Sequence, residues 1–180
     1  MQNPMVTARL LSVKSTRELV LLGVFTALTV LLARVFAIQT PYVHFGLSFL
    51  PVALCAAWFG PCKAGAVSAL ADIIGANLLG TGAYFPGFTV SAFFTGWLYG
   101  MFFYHQRPKV WRVLLAFLLV NAFVHLLLNT FWLVLFYEKG ASLILAARVP
   151  KLVICYPLEC ALFFFTWRYL SRILPRVDFL

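Results

Sequence analysis

Arg34 and Asp72 carry opposite charges inside otherwise apolar segments of the chain. A central charge in a membrane helix costs about 2.5–3.5 kcal/mol on insertion scales, so such residues face the interior of a bundle and mark function. The two either form a structural ion pair or line a ligand pocket, and both readings stand on sequence. Asn121, His125 and Asn129 recur at every fourth position, which places them on one face of an α-helix. They would either bond between helices or face the same pocket. One histidine among asparagines, without thiolate or carboxylate partners, makes a poor metal site. Lys151, Cys155 and Glu159 share a face in the same manner, and Arg148 and Lys151 are placed to meet an anion.

The stretch from Gly80 to Thr89 has no charge, and it combines glycines, a proline and the rings of Tyr84, Phe85 and Phe88. Glycine and proline mark it as a turn between helices, yet it is not hydrophilic, so it reads as a lid or cavity wall. Tyr42, Tyr84, Phe85 and Phe88 offer flat apolar surface. Gln39, Asn77, Thr81 and Asn129 offer directional hydrogen bonds, and Arg34, Arg148 and Lys151 offer positive charge. That combination suits a planar heterocycle with an anionic tail. An interfacial aromatic belt is the competing reading for Tyr42 and Tyr137. The sequence contains no phosphate-binding Gly-rich loop ending in Lys-Ser/Thr, no Gly-x-Ser-x-Gly and no His-Glu-x-x-His. An enzyme is therefore not expected, nor a cofactor, and uphill movement of a solute would need energy from a partner. Cys55, Cys62, Cys155 and Cys160 form no Cys-x-x-Cys pair and read as small core residues.

The elements that hold these residues are helices in lipid. Of the 180 residues, 63% are hydrophobic and 11% charged, against about 45–50% and about 25% in soluble domains. The expectation is an all-α fold: a polytopic bundle of six transmembrane helices, residues 1–180 forming a single integral-membrane substrate-binding domain with a basic cytoplasmic N-terminus over 1–17. The spacing predicts helices from about Glu18 to Ile38, Phe45 to Phe59, Ala64 to Leu79, Pro86 to Tyr104, Val113 to Tyr137 and Val149 to Leu170. With an even number of spans both termini fall on one side. That side holds Arg9, Lys14, Arg17, Lys63, Arg107, Lys109, Arg112, Arg168, Arg172 and Arg176; the other keeps Lys139, Arg148 and Lys151. The bias puts both termini in the cytoplasm and the Gly80–Thr89 stretch outside. The net charge of +9 is explained by this bias, so no nucleic acid is implied.

The basic N-terminus, the short helices and the small pair Gly23 and Ala27, four apart on the first helix, resemble the substrate-binding (S) components of energy-coupling factor vitamin transporters. More narrowly, Ile38-Gln-Thr-Pro-Tyr42, Phe49-Leu-Pro-Val-Ala53, Gly65-Ala-Val-Ser-Ala-Leu-Ala-Asp72 and Thr81-Gly-Ala-Tyr-Phe-Pro-Gly-Phe-Thr89 resemble the folate-specific branch. The likeness is dense from Arg34 to Gly100 and thinner beyond Trp111, where Arg148-Val-Pro-Lys151 carries it. The resemblance implies a subunit of a bacterial cell membrane that captures folate from outside, its outer loops closing over the ligand. The subunit then works with a membrane coupling protein and two ATPases. It also implies that Gly23 and Ala27 contact the coupling protein; this chain has glycine where alanine is frequent, which keeps the small surface. Asp72, Asn77 or Asn129 would read the pterin, and Arg34 and Arg148 the glutamate tail. An S component for thiamine or a pterin precursor, a passive channel, and an inert bundle are the alternatives; a cationic ligand such as thiamine is disfavoured by arginines.

Overall fold

The computed structural model describes residues 15–34, 38–39, 44–79, 84–106, 109–137 and 155–169. In chain order these form α1 (Thr16–Arg34), the strands β1 (Ile38–Gln39) and β2 (His44–Phe45), α2 (Phe49–Phe59), α3 (Pro61–Leu79) and α4 (Pro86–Phe103). There follows α5 (Val110–Leu119), a π-helical segment (Val120–Leu128) and α6 (Asn129–Tyr137), which together make one rod, and then α7 over 155–169. The described residues are thus mainly helical, as expected, with one short antiparallel hairpin among them pairing Ile38 with Phe45 and Gln39 with His44.

Local chemistry sets the breaks. Pro61 and Pro86 open α3 and α4, where a missing N–H costs nothing. Pro51 sits in the first turn of α2, whose N–H groups have no intrahelical acceptor either. Gly60 separates α2 from α3 with φ 87°, and the Tyr104 ring lies where its Cβ would stand, 3.1 Å away. A side chain there would be strained on both counts.

Several boundaries differ from the sequence expectation, α3 and α5 starting earlier than expected, at Pro61 rather than Ala64 and at Val110 rather than Val113. The first helix ends at Arg34 rather than Ile38, because Ile38 and Gln39 enter the hairpin. The second starts at Phe49 rather than Phe45, which lies in β2. The shortened α2 has 11 residues, about 16 Å at 1.5 Å per residue and roughly half the ~30 Å hydrocarbon thickness. It is a core helix: Ala53, Cys55 and Ala56 are fully buried. By contrast α1 and the rod Val110–Leu135 are long and apolar enough to cross a membrane.

Packing follows the small residues. Cβ atoms on Gly96 and Gly100 would overlap the Ala64 carbonyl and Pro61, and one on Gly65 would press on Phe93. The Gly96-xxx-Gly100 pair is thus consumed inside the bundle, letting α4 ride close along α3. Beyond α2, an aromatic cluster fills the half of the bundle where α4 ends. Phe103 stacks on Phe163 at 4.8 Å, and Tyr99 and Phe117, 5.0 Å from each other, close around them. In the same half, an ion pair between Lys63 and Glu18 ties the start of α3 to the start of α1. The four cysteines are in no disulfide, and Cys55, Cys155 and Cys160 are buried, as core residues should be.

Candidate functional site

The polar residues gather at the opposite end, where α1 and α3 finish and α4 begins. Asp72 lies two turns before the end of α3, and Thr89 lies in the first turn of α4. The Thr89 hydroxyl donates to Asp72 Oδ2 at 2.9 Å. Its one proton is thereby used, so the 2.8 Å contact with Tyr84 is a bond donated by the tyrosine hydroxyl to Thr89 Oγ1. A relay runs from Tyr84, just outside α4, through Thr89 to the carboxylate on α3. Arg34, the last residue of α1, lies across α3 at Gly75: its Nε would be 2.9 Å from a Cβ there. The charges of Arg34 and Asp72 are close enough to interact, yet they are not joined within the 4.0 Å of an ion pair. The guanidinium and the carboxylate therefore lie near one another without forming an ion pair, the carboxylate being held by Thr89.

Aromatic rings form the adjoining wall. Phe85 packs on Phe88 at 5.9 Å and on Trp132 of α6 at 5.5 Å. Both Phe85 and Trp132 would overlap a Cβ on Gly87, so the first turn of α4 is pinched beneath them. The Trp132 indole N–H donates to Ser91 Oγ at 3.2 Å, fixing α6 against α4. Part of the stretch read as a loop is thus helix: from Pro86 onward it is the opening turn of α4.

The polar stripe on the rod divides. Asn121 is buried and donates to Phe117 O at 3.1 Å and to Glu159 Oε2 of α7 at 2.9 Å. His125 and Asn129 turn instead to each other, Nδ1 to Nδ2 at 3.3 Å. Asn129 Oδ1 is buried without a hydrogen-bond partner among the described residues. The division follows the partners: α7 brings Glu159 to Asn121, whereas His125 is exposed and bonds Asn129 one turn further on. The hydrogen bond between helices expected as one reading holds for Asn121.

Asn77 donates to Ile73 O within its own helix and is exposed; it takes no part in the Tyr84–Thr89–Asp72 relay. Gln39 is paired with His44 in the hairpin. Thr81, Arg148 and Lys151 lie outside the described residues. Gly23 and Ala27 lie on the exposed side of α1, and among the described residues no atom comes within 4 Å of a Cβ built on Gly23. Thr89, Ser91 and Trp132 were not singled out by sequence. A threonine or serine in an apolar helix usually bonds its own preceding turn, as Thr26 and Thr29 do here, and only the tertiary fold shows which hydroxyl reaches across.

A helical bundle with a polar cluster beside an aromatic wall at one end, and two helices long and apolar enough to cross a membrane, suits a membrane solute-capture subunit. Residues 17–166 match the family described as "ECF transporter, substrate-specific component", and the chain belongs to that family. Two curated relatives are named "Folate transporter FolT". The one from Clostridium novyi is 35% identical over 160 residues, covering 89% of this chain and 93% of its own. The one from Leuconostoc mesenteroides subsp. mesenteroides is 31% identical over 156 residues, covering 83% and 84%. A solved structure described as "Crystal structure of FolT bound with folic acid" superposes with a TM-score of 0.83 at 34% identity, covering 86% of this chain and 95% of that one.

Proposed function

We propose that the chain is the folate-binding S component of an energy-coupling factor transporter, a single-domain, multi-pass protein of a bacterial plasma membrane. The observation that carries this reading is the end-on site formed by Asp72, Thr89, Tyr84, Arg34 and the Phe85–Phe88–Trp132 wall, in a chain that matches a folic-acid-bound relative over nearly its whole length. The chemistry fits the ligand. A pterin is flat and presents donors that a carboxylate such as Asp72, or the buried Asn129 Oδ1, would accept; rings such as Phe85 and Phe88 would stack on it. The glutamate tail presents two carboxylates, which Arg34, with Arg148 and Lys151, would meet. Gln39, Asn77, Thr81 and His125 complete the proposed lining.

The basic excess at the side of Arg17, Lys63, Lys109, Arg112 and Arg168 supports cytoplasmic termini and six spans, so the site would open to the exterior. The chain would hydrolyse no ATP itself; a coupling protein and two ATPases would supply the energy. The exposed Gly23–Ala27 face of α1 is the surface proposed for the coupling protein, since small residues let a foreign helix approach closely. Calorimetric titration of the purified protein with folic acid, thiamine and pterin tests the reading. Folic acid should bind alone or most tightly, and Arg34→Ala should weaken it. A preference for thiamine would sink the ligand assignment, and uptake by vesicles without partners or ATP would favour a channel.

A further inference from the structure

π-helical turns are rare and occur mostly singly, yet here they run through Val120–Leu128, the middle of the rod. Such a stretch needs support from outside, and α7 holds both the helix that leads into it and its first turn. The Tyr156 hydroxyl donates to Leu114 O at 2.9 Å. Three residues further along the same face of α7, Glu159 accepts from Asn121, the second residue of the π segment, at 2.9 Å. The other hydrogen of the Asn121 amide goes to Phe117 O, in the last turn of α5. The Asn121 side chain therefore spans the α-to-π junction, and Glu159 holds it there. At the far end the segment closes with the Asn129 N–H bonded to Val124 O, again an i→i−5 bond. Directly beyond come Asn129, whose side-chain carbonyl has no hydrogen-bond partner among the described residues, and Trp132, which meets Ser91 and Phe85. Each residue of an α-helix turns the chain by about 100°, so trading π turns for α turns would swing Asn129 and Trp132 around the rod axis and away from α4.

We infer that Glu159 is a positioning residue: by holding Asn121 at the junction it sets the π register of Val120–Leu128, and that register aims Asn129 and Trp132 at the wall of the site. Its consequence for ligand rests on the folate reading above; its consequence for Trp132 does not.

The test uses full-length protein in nanodiscs, labelled with 5-fluorotryptophan, the Trp132 resonance being assigned by its loss in Trp132→Phe. Glu159→Leu and Asn121→Leu should each move the ligand-free Trp132 resonance, and Glu159→Gln, which keeps the acceptor, should leave it in place. In titrations with folic acid, Glu159→Leu and Asn121→Leu should each weaken binding by about tenfold or more. The double variant should be no weaker than either single, because both remove one contact. Glu159→Gln should stay within about threefold of wild type. An unmoved Trp132 resonance in a folded Glu159→Leu protein overturns the inference, as does an additive double variant. Wild type that fails to bind folic acid while the Trp132 shifts appear would overturn the folate reading instead and leave the positioning role standing.

Discussion

Thr89 Oγ1 lies 2.9 Å from Asp72 Oδ2, so the first turn of α4 is bonded to a carboxylate two turns inside α3. Because Thr89 also accepts from Tyr84, one hydroxyl joins the edge of the site to its charged centre. Thr89→Val keeps the shape and removes both bonds. It should weaken folic acid binding by about 1–3 kcal/mol, the cost of leaving a half-buried acceptor without its donor, while Thr89→Ser should stay near wild type. Calorimetry on the two variants checks this; equal affinities for both would show that the relay does not shape the site.

Gly87 is placed where its hydrogen is the only substituent that fits beneath Phe85 and Trp132. Gly87→Ala should force the ring pair apart and destabilise the protein by about 1–3 kcal/mol, as overpacking does. The readout is the thermal unfolding midpoint in detergent, with folic acid affinity falling alongside it. A midpoint at or above wild type would mean that the aromatic wall is not packed as described.

Arg34 can be displaced without touching its charge. A methyl at Gly75 would stand 2.9 Å from Nε and 3.4 Å from Cγ, both on a flexible side chain that can swing aside. Gly75→Ala should therefore leave stability within about 1 kcal/mol of wild type, the gain in helix propensity offsetting the displaced side chain, yet reduce folic acid affinity in the same direction as Arg34→Ala. If Arg34→Ala binds as wild type does, the guanidinium does not meet the ligand tail.

Two glycine surfaces should respond in opposite ways. Gly100 abuts Pro61 inside the bundle, whereas Gly23 faces open space. Gly100→Leu should abolish monodisperse protein in gel filtration. Gly23→Leu should fold and bind folic acid as wild type, and fail only in copurification with the coupling protein. Loss of folding in Gly23→Leu would return α1 to an internal packing role.

Much of this arrangement could be read from the chain because burying charge is costly. Arg34 and Asp72 stand out in apolar runs, and the structure sets them beside each other at one end of the bundle. Proline likewise marked the start of α4, whereas α3 opens at Pro61 rather than the expected Ala64. The rest depends on tertiary context. The π-helical segment has the same apolar composition as the helix on either side of it, and its register answers to Glu159 on another helix, which spacing within the rod cannot show. The hairpin Ile38–Phe45 is two residues per strand, too short for any alternation to register. Thr89, Ser91 and Trp132 are ordinary residues in apolar helices until a partner is brought to them. Asn121, His125 and Asn129 were expected on one face, either bonding between helices or facing a pocket; Asn121 bonds Glu159 of α7, and His125 and Asn129 bond each other.

The central claim is tested most directly by equilibrium titration of the purified, ligand-stripped wild-type protein with folic acid. The account predicts saturable binding of one molecule per chain with a Kd below about 1 μM, lost or sharply weakened in Asp72→Ala. No binding of folic acid to a folded, monodisperse protein, or equally tight binding after Asp72→Ala and Arg34→Ala together, would contradict it.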